Sequence, residues 1–169
     1  MLIALALAAA AAAAPAPPPP PCSGPEYRQL DFWVGEWDAE FDLPGGKTGH
    51  ATNRITRDEY GDCVIAEHFS QPDIAYTGAS FSTWDQYKKK WVQTWVDNGG
   101  GYITLAGGAV EGQPYSFELV TIDARGARQV HSRMIWQDVK PDSFTWRWQG
   151  QKADGSWADS WVIRYTRRK

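Results

Sequence analysis

An all-β fold, with about ten antiparallel strands closed into an up-and-down barrel, is predicted by three features of the 169-residue sequence. Turn-forming residues (Gly45-Gly46, Gly61, Asn98-Gly99, Gly126, Pro141 and Asp154-Gly155) punctuate the chain too often for long helices, as consecutive hairpins require. Between them, apolar and polar residues alternate, the mark of strands with one buried face. Hydrophobic residues make up 43% and aromatics 14%, with 10 Trp, which excludes a disordered chain and makes a dense core feasible. Lys plus Arg total 17 against 20 Asp plus Glu, a net charge of −3, so there is no basic footprint for nucleic acid or an anionic membrane surface.

The first 25 residues contain only Ala, Leu, Ile, Met, Pro, Cys, Ser and Gly. Residues 2–14 form a continuous apolar run, too short to span a bilayer and of the length of a signal-peptide core. No Lys or Arg precedes it, and an uncleaved Ala/Pro-rich linker is the alternative. The division is therefore residues 1–14 as a signal peptide, 15–24 as a Pro-rich linker and 25–169 as one barrel domain. This implies an exported protein, periplasmic or secreted, with no integral membrane segment once matured.

Cys22 and Cys63 are the only cysteines, and an even count in an oxidising compartment favours a disulfide. Closing a loop of about 40 residues would stabilise by about 4 kcal/mol in the chain-entropy account. A lipoprotein cysteine at Cys22 is the rival, but prolines occupy the place of its recognition box.

The strands follow in order from turn chemistry. The first supplies Trp33, Trp37 and Phe41. A loop at Glu59-Tyr60-Gly61 sets Asn53 opposite Glu67 and Ile55 opposite Ile65. A four-residue loop over residues 86–89 sets Trp84 opposite Trp91, Ser82 opposite Gln93 and Ser80 opposite Trp95. The loop Ala124-Arg125-Gly126 aligns Leu119 with His131 and Phe117 with Arg133. A Lys140-Pro141 turn brings Ile135, Arg133 and His131 onto the same face. A two-residue Asp154-Gly155 turn pairs Trp148 with Trp161, Trp146 with Ile163 and Phe144 with Tyr165. Trp pairs four residues apart, Trp33/Trp37, Trp91/Trp95 and Trp157/Trp161, should each share a face. The opposite face carries Thr145, Arg147, Gln149, Ser160, Arg164 and Thr166, a solvent-facing set that argues against an outer-membrane barrel. Closure into a barrel buries the aromatic face most simply, with a two-sheet sandwich as the alternative.

Gly35-Glu36-Trp37 resembles the Gly-x-Trp opening of the calycin barrels, the lipocalin and fatty-acid-binding superfamily. The longer string from Leu30 to Asp38, Leu-Asp-Phe-Trp-Val-Gly-Glu-Trp-Asp, resembles a family of exported bacterial proteins catalogued as a domain of unknown function. Cys63 with Glu67, Gly78 with Ser80 and Ser82, Trp91-x-Gln93-x-Trp95-Val96-Asp97 and Asp154-Gly155-x-Trp157 extend the likeness over nearly the whole domain. Asp62 stands where that pattern has Gly. The resemblance implies a lipocalin-like barrel and brings no activity. Such barrels pack a late Arg on the Gly-x-Trp tryptophan, a part open here to Arg164 or Arg167, while Arg133 on Trp148 is another plug of this kind. A weaker similarity is to the nitrobindin type of haem barrel. Its haem-ligating His lies near the C-terminus, whereas the last His here is His131, so haem is not carried over.

By these registers Asn53, Glu67, Ser80, Ser82, Gln93, His131 and Arg133 point inward among Trp37, Trp91, Trp95, Trp146, Trp148 and Trp161. Charged groups inside such a lumen are costly unless paired or solvated. The predicted ligand site is Asn53, Glu67, Ser80, Ser82, Gln93, Trp95, His131, Arg133 and Trp148, with Arg133 anchoring a carboxylate or phosphate and the Trp faces holding an apolar body. The partner is thus a small amphiphilic or aromatic, anionic molecule. One alternative is a filled core in which Glu67 and Arg133 satisfy each other. Another is a lyase or isomerase using Glu67 and His131 as acid and base. No cofactor or metal is expected: the only histidines are His50, His68 and His131, and adjacent Glu67 and His68 point to opposite faces. The Lys88-Lys89-Lys90 run reads as a solvated turn.

Overall fold

The computed structural model describes residues 17, 19–57, 60–113, 116–122 and 128–169. The proposed signal peptide and the loop Ala124-Arg125-Gly126 lie outside the described residues. Ten strands follow one another around a closed barrel: β1 (Gly35–Leu43), β2 (Lys47–Thr56), β3 (Val64–Gln71), β4 (Tyr76–Asp85), β5 (Lys90–Asp97), β6 (Tyr102–Ala109), β7 (Phe117–Ile122), β8 (Arg128–Lys140), β9 (Ser143–Gln151) and β10 (Trp157–Arg167). Every neighbouring pair is antiparallel, and β10 returns to β1 through Ala39 opposite Tyr165, so no sheet edge is left open. The helical segments described are four short 3-10 turns, at Pro25–Arg28, Asp31–Trp33, Gly61–Cys63 and Pro72–Ile74.

Trp33 lies in the second of these turns and not in a strand. With Leu30 it is fully buried and stops the barrel end where β1 starts, its ring edge-on to Trp136 at 5.2 Å. Arg57 clamps the turns below, donating to the Tyr27 carbonyl at 2.6 Å, the Asp31 carboxylate at 2.6 Å and the Asp62 carbonyl at 3.0 Å. Cys22 and Cys63 form the disulfide, with Cα atoms 5.0 Å apart, and tie the chain ahead of this plug to the turn before β3.

The late arginine that packs on Trp37 is Arg167, whose guanidinium lies 4.1 Å over the indole and donates to the carbonyls of Val34 and Phe32. Gly35 makes this possible: its φ is +143°, and a Cβ there would lie 2.1 Å from Arg167 Nη1. Arg164 instead faces outward to Asp42, and Arg133 packs 4.2 Å over Trp157, not Trp148.

Two hairpins match the predicted pairing. Between β4 and β5, Trp84 faces Trp91, Ser82 faces Gln93 and Ser80 faces Trp95. In β9 and β10, Trp148 faces Trp161, Trp146 faces Ile163 and Phe144 faces Tyr165. The connection between these last strands is longer than two residues, starting from Gln151 opposite Trp157, and the extra residue Ser160 forms a bulge that restores the register. That bulge also separates Trp157, which turns outward beneath Arg133, from the lumenal Trp161.

Three registers differ from expectation. Asn53 faces Phe69 and Ile55 faces Glu67, a two-residue slide that keeps each side chain on its predicted face. Between β8 and β9 the turn is Pro141-Asp142, and a bulge between Gln137 and Lys140 adds one residue on β8, with Asp138 at φ +53°. One residue reverses the face: Trp136 and Met134 point inward opposite Trp146 and Trp148, while Ile135 and Arg133 take the outer row. The same shift sets Leu119 opposite Met134 and Phe117 opposite Trp136, after an irregular stretch between Val120 and Ile122.

Candidate functional site

Lumenal side chains of β3, β4, β5, β6, β8, β9 and β10 surround a cavity of about 210 Å3. It begins above Trp33 at the plugged end and extends toward the opposite end, where Tyr76 opens β4 and Asp97 closes β5. One wall is aromatic. Trp146 and Trp148 stack with centroids 6.3 Å apart and planes 16° off parallel, and Trp161 meets Trp146 edge-on at 5.9 Å. Phe69 carries this array to Tyr76, at 5.8 Å from Trp161 and 6.2 Å from Tyr76. Met134, Ile103, Leu105 and Ile163 complete the apolar lining.

The facing wall is polar and comes from alternate residues of β3, β4 and β5. Glu67, 8% exposed, accepts from Asn53 Nδ2 on Oε1 at 2.7 Å and from Ser80 Oγ on Oε2 at 2.6 Å. Gln93 Nε2 donates to Ser82 Oγ at 2.9 Å. Burial pushes the Glu67 carboxyl above the ordinary carboxylate range, against the opposing pull of its Ser80 and Asn53 hydrogen bonds. Tyr165, fully buried and 3.4 Å from Asn53 Nδ2, is held neutral by burial and by the Glu67 charge. Asn53 Oδ1, buried beside them, has no hydrogen-bond partner.

Asp97 sits at the rim with its charge stabilised. Trp95 Nε1 donates to its Oδ2 at 3.0 Å and the Gly99 and Gly101 amides donate to Oδ1 at 2.9 Å, holding its pKa below the usual carboxylate range. Tyr76 donates to the same carboxylate at 3.3 Å, and burial with that neighbouring charge pushes its own pKa up to about 12. Gly78 allows this corner to close, because the Trp95 ring lies where a Gly78 Cβ would be, 2.1 Å away.

Of the predicted site residues, Asn53, Glu67, Ser80, Ser82, Gln93, Trp95 and Trp148 face the lumen, and Glu67, Gln93, Trp95 and Trp148 line the cavity itself. Arg133 and His131 do not. The bulge at Asp138 puts Arg133 on the outer face, where it pairs with Glu118, donates to Gln149 Oε1 at 2.8 Å and covers Trp157. His131 is exposed. Neither the Glu67–Arg133 network nor a Glu67–His131 acid–base pair is assembled, and the anion anchor is absent from the lumen. Tyr76 and Asp97 were missed by the sequence reading. The parity that turned Ser80 and Ser82 inward extends back to Tyr76, and that of Gln93 and Trp95 extends forward to Asp97, so the signal was present at the strand ends.

Among solved structures the fold is shared with the crystal structure of Rv2717c from M. tuberculosis, at a TM-score of 0.54 and 11% identity over 86% of this chain and 99% of that one. At that identity the likeness speaks to fold alone. No curated protein sequence matches the chain significantly. The sequence profile of a protein family of unknown function, DUF1579, matches residues 23–167, from the residue after Cys22 to the end of β10. The chain belongs to the DUF1579 family.

Proposed function

We propose that this protein is an exported binding protein whose barrel lumen holds one small, ring-bearing molecule. The observation that carries the reading is the cavity of about 210 Å3 with stacked indoles on one side and a hydrogen-bonding wall on the other. A close-packed interior leaves few voids larger than a water molecule. An apolar cavity of roughly 150 Å3 accepts a benzene, so this one suits a one- or two-ring compound. The apolar wall supplies most of the binding free energy, and Glu67 and Gln93 orient the guest. Export is supported by the apolar run at residues 2–14 and by the Cys22–Cys63 disulfide, a bond that persists in oxidising compartments.

Native mass spectrometry of mature protein purified from its own host tests this reading. One small-molecule adduct per barrel, released on unfolding, is the expected result. A bare protein mass, together with no rise in melting temperature with any of a panel of one- and two-ring compounds, would overturn it.

A further inference from the structure

The charge of the lumen deepens that reading. The charged groups lining the cavity are Glu67 and Asp97, both acids, and among the described lining residues there is no Lys, Arg or His. Glu67 has only neutral partners, Asn53 and Ser80. A buried carboxylate with no cation is poorly compensated. Asn53 Oδ1 beside it is a further acceptor without a donor. The lining therefore carries negative charge with no cation to offset it. The opposite wall is built from the indoles of Trp146, Trp148 and Trp161, aromatic rings of the kind that attract a cation through the ring quadrupole.

We propose that the guest is a cationic aromatic amine, with its ammonium or protonated ring nitrogen donating to Glu67 and its ring against the indole wall. The inference rests on the lumen-binding reading above. The positive nitrogen then serves as the charged partner that the Glu67 carboxylate lacks. Asp97 at the rim, ionised and tied to Trp95, adds an attractive field at the opening of the cavity. An anion would meet two acids and no donor cation.

Calorimetric titration of the mature protein with three probes of one shape tests this: benzylammonium, benzyl alcohol and benzoate. Benzylammonium should bind at least tenfold more tightly than benzyl alcohol at pH 7.5, with benzoate weakest. In Glu67→Gln the ratio of the two affinities should shrink to threefold or less. Should that variant fail to fold, the wild-type ratio of the two affinities serves, and it should be larger at pH 8 than at pH 4.5, the ordinary glutamate value, at which the buried carboxyl still holds its proton. Of the titratable groups facing Glu67, Tyr76 of β4 and Tyr165 of β10 stay neutral across this range, and Asp97 of β5 stays ionised, which leaves Glu67 to change. Equal or tighter binding of benzyl alcohol or benzoate overturns the charge preference while the lumen-binding reading stands. A preference that survives Glu67→Gln, or a flat pH ratio, overturns the role of Glu67. No binding of any probe at millimolar concentration overturns both readings.

Discussion

Glu67 is where the lumen departs most from an ordinary barrel core. Its two oxygens are satisfied by Asn53 and Ser80, yet neither partner is charged, so burial raises its pKa above the ordinary value of 4.5. An acid raised in the folded state contributes stability that is complete below about pH 4.5 and is lost as the pH climbs through the raised value. Gln at this position keeps an acceptor for Asn53 and has no proton to lose. Melting Glu67→Gln beside the wild type from pH 4 to pH 8 should therefore show the variant gaining on the wild type as the pH rises. A difference that is constant over this range would mean that Glu67 is not desolvated. Glu67 was legible in the sequence because strict alternation puts it on the face opposite His68, and no bulge intervenes in β3.

At the scale of elements, one residue on β8 decides which side chains the lumen receives. The bulge at Asp138 exchanges Arg133 and Ile135 for Met134 and Trp136 on the inner face. Arg133 then belongs to an outer ladder across β7, β8, β9 and β10: it pairs with Glu118 and Gln149, and Gln149 and Arg147 both donate to Asp159. A partly exposed pair of this kind is worth little more than the surface range. Arg133→Met should lower stability by only about 1 to 2 kcal/mol and leave benzyl alcohol binding unchanged, read from a denaturant melt and a calorimetric titration. Loss of binding with stability intact would return Arg133 to the site.

The hairpin between β4 and β5 was readable because its turn is local: Asp85 Oδ1 accepts the Tyr87 and Lys88 amides, and no bulge follows. The β8–β9 register was not, because no glycine marks the bulge; Asp138 takes the left-handed conformation itself at φ +53°. Inner rows on β3, β4 and β5 therefore came out correctly, and faces were reversed where bulges fall, along β8 and at Trp157 of β10, since the sequence does not announce them. The cavity itself was not legible. Its volume depends on how the indoles of β9 and β10 stack against Phe69 and Tyr76 across the barrel, and parity along single strands does not carry that information.

For the whole molecule, the plug closes one end of the barrel and the cavity runs from it toward the other. The β1-start end is filled by Leu30 and Trp33 and held by Arg57, Arg167 and the Cys22–Cys63 bond, so its packing is fixed. Toward the other end the lumen is left open inside, among Tyr76, Trp95, Asp97 and Trp148. A protein that needed only a stable core would fill that space, since packing a void of this size stabilises by several kcal/mol. The central claim is that this volume takes a guest, and indole N–H resonances in a nitrogen-15 spectrum report on it directly. Adding benzyl alcohol should shift the resonances of the lumenal Trp95, Trp146, Trp148 and Trp161 and leave Trp157, on the outer face beneath Arg133, unmoved. Lumenal resonances that stay in place at saturating probe, or a shift confined to Trp157, would contradict the account.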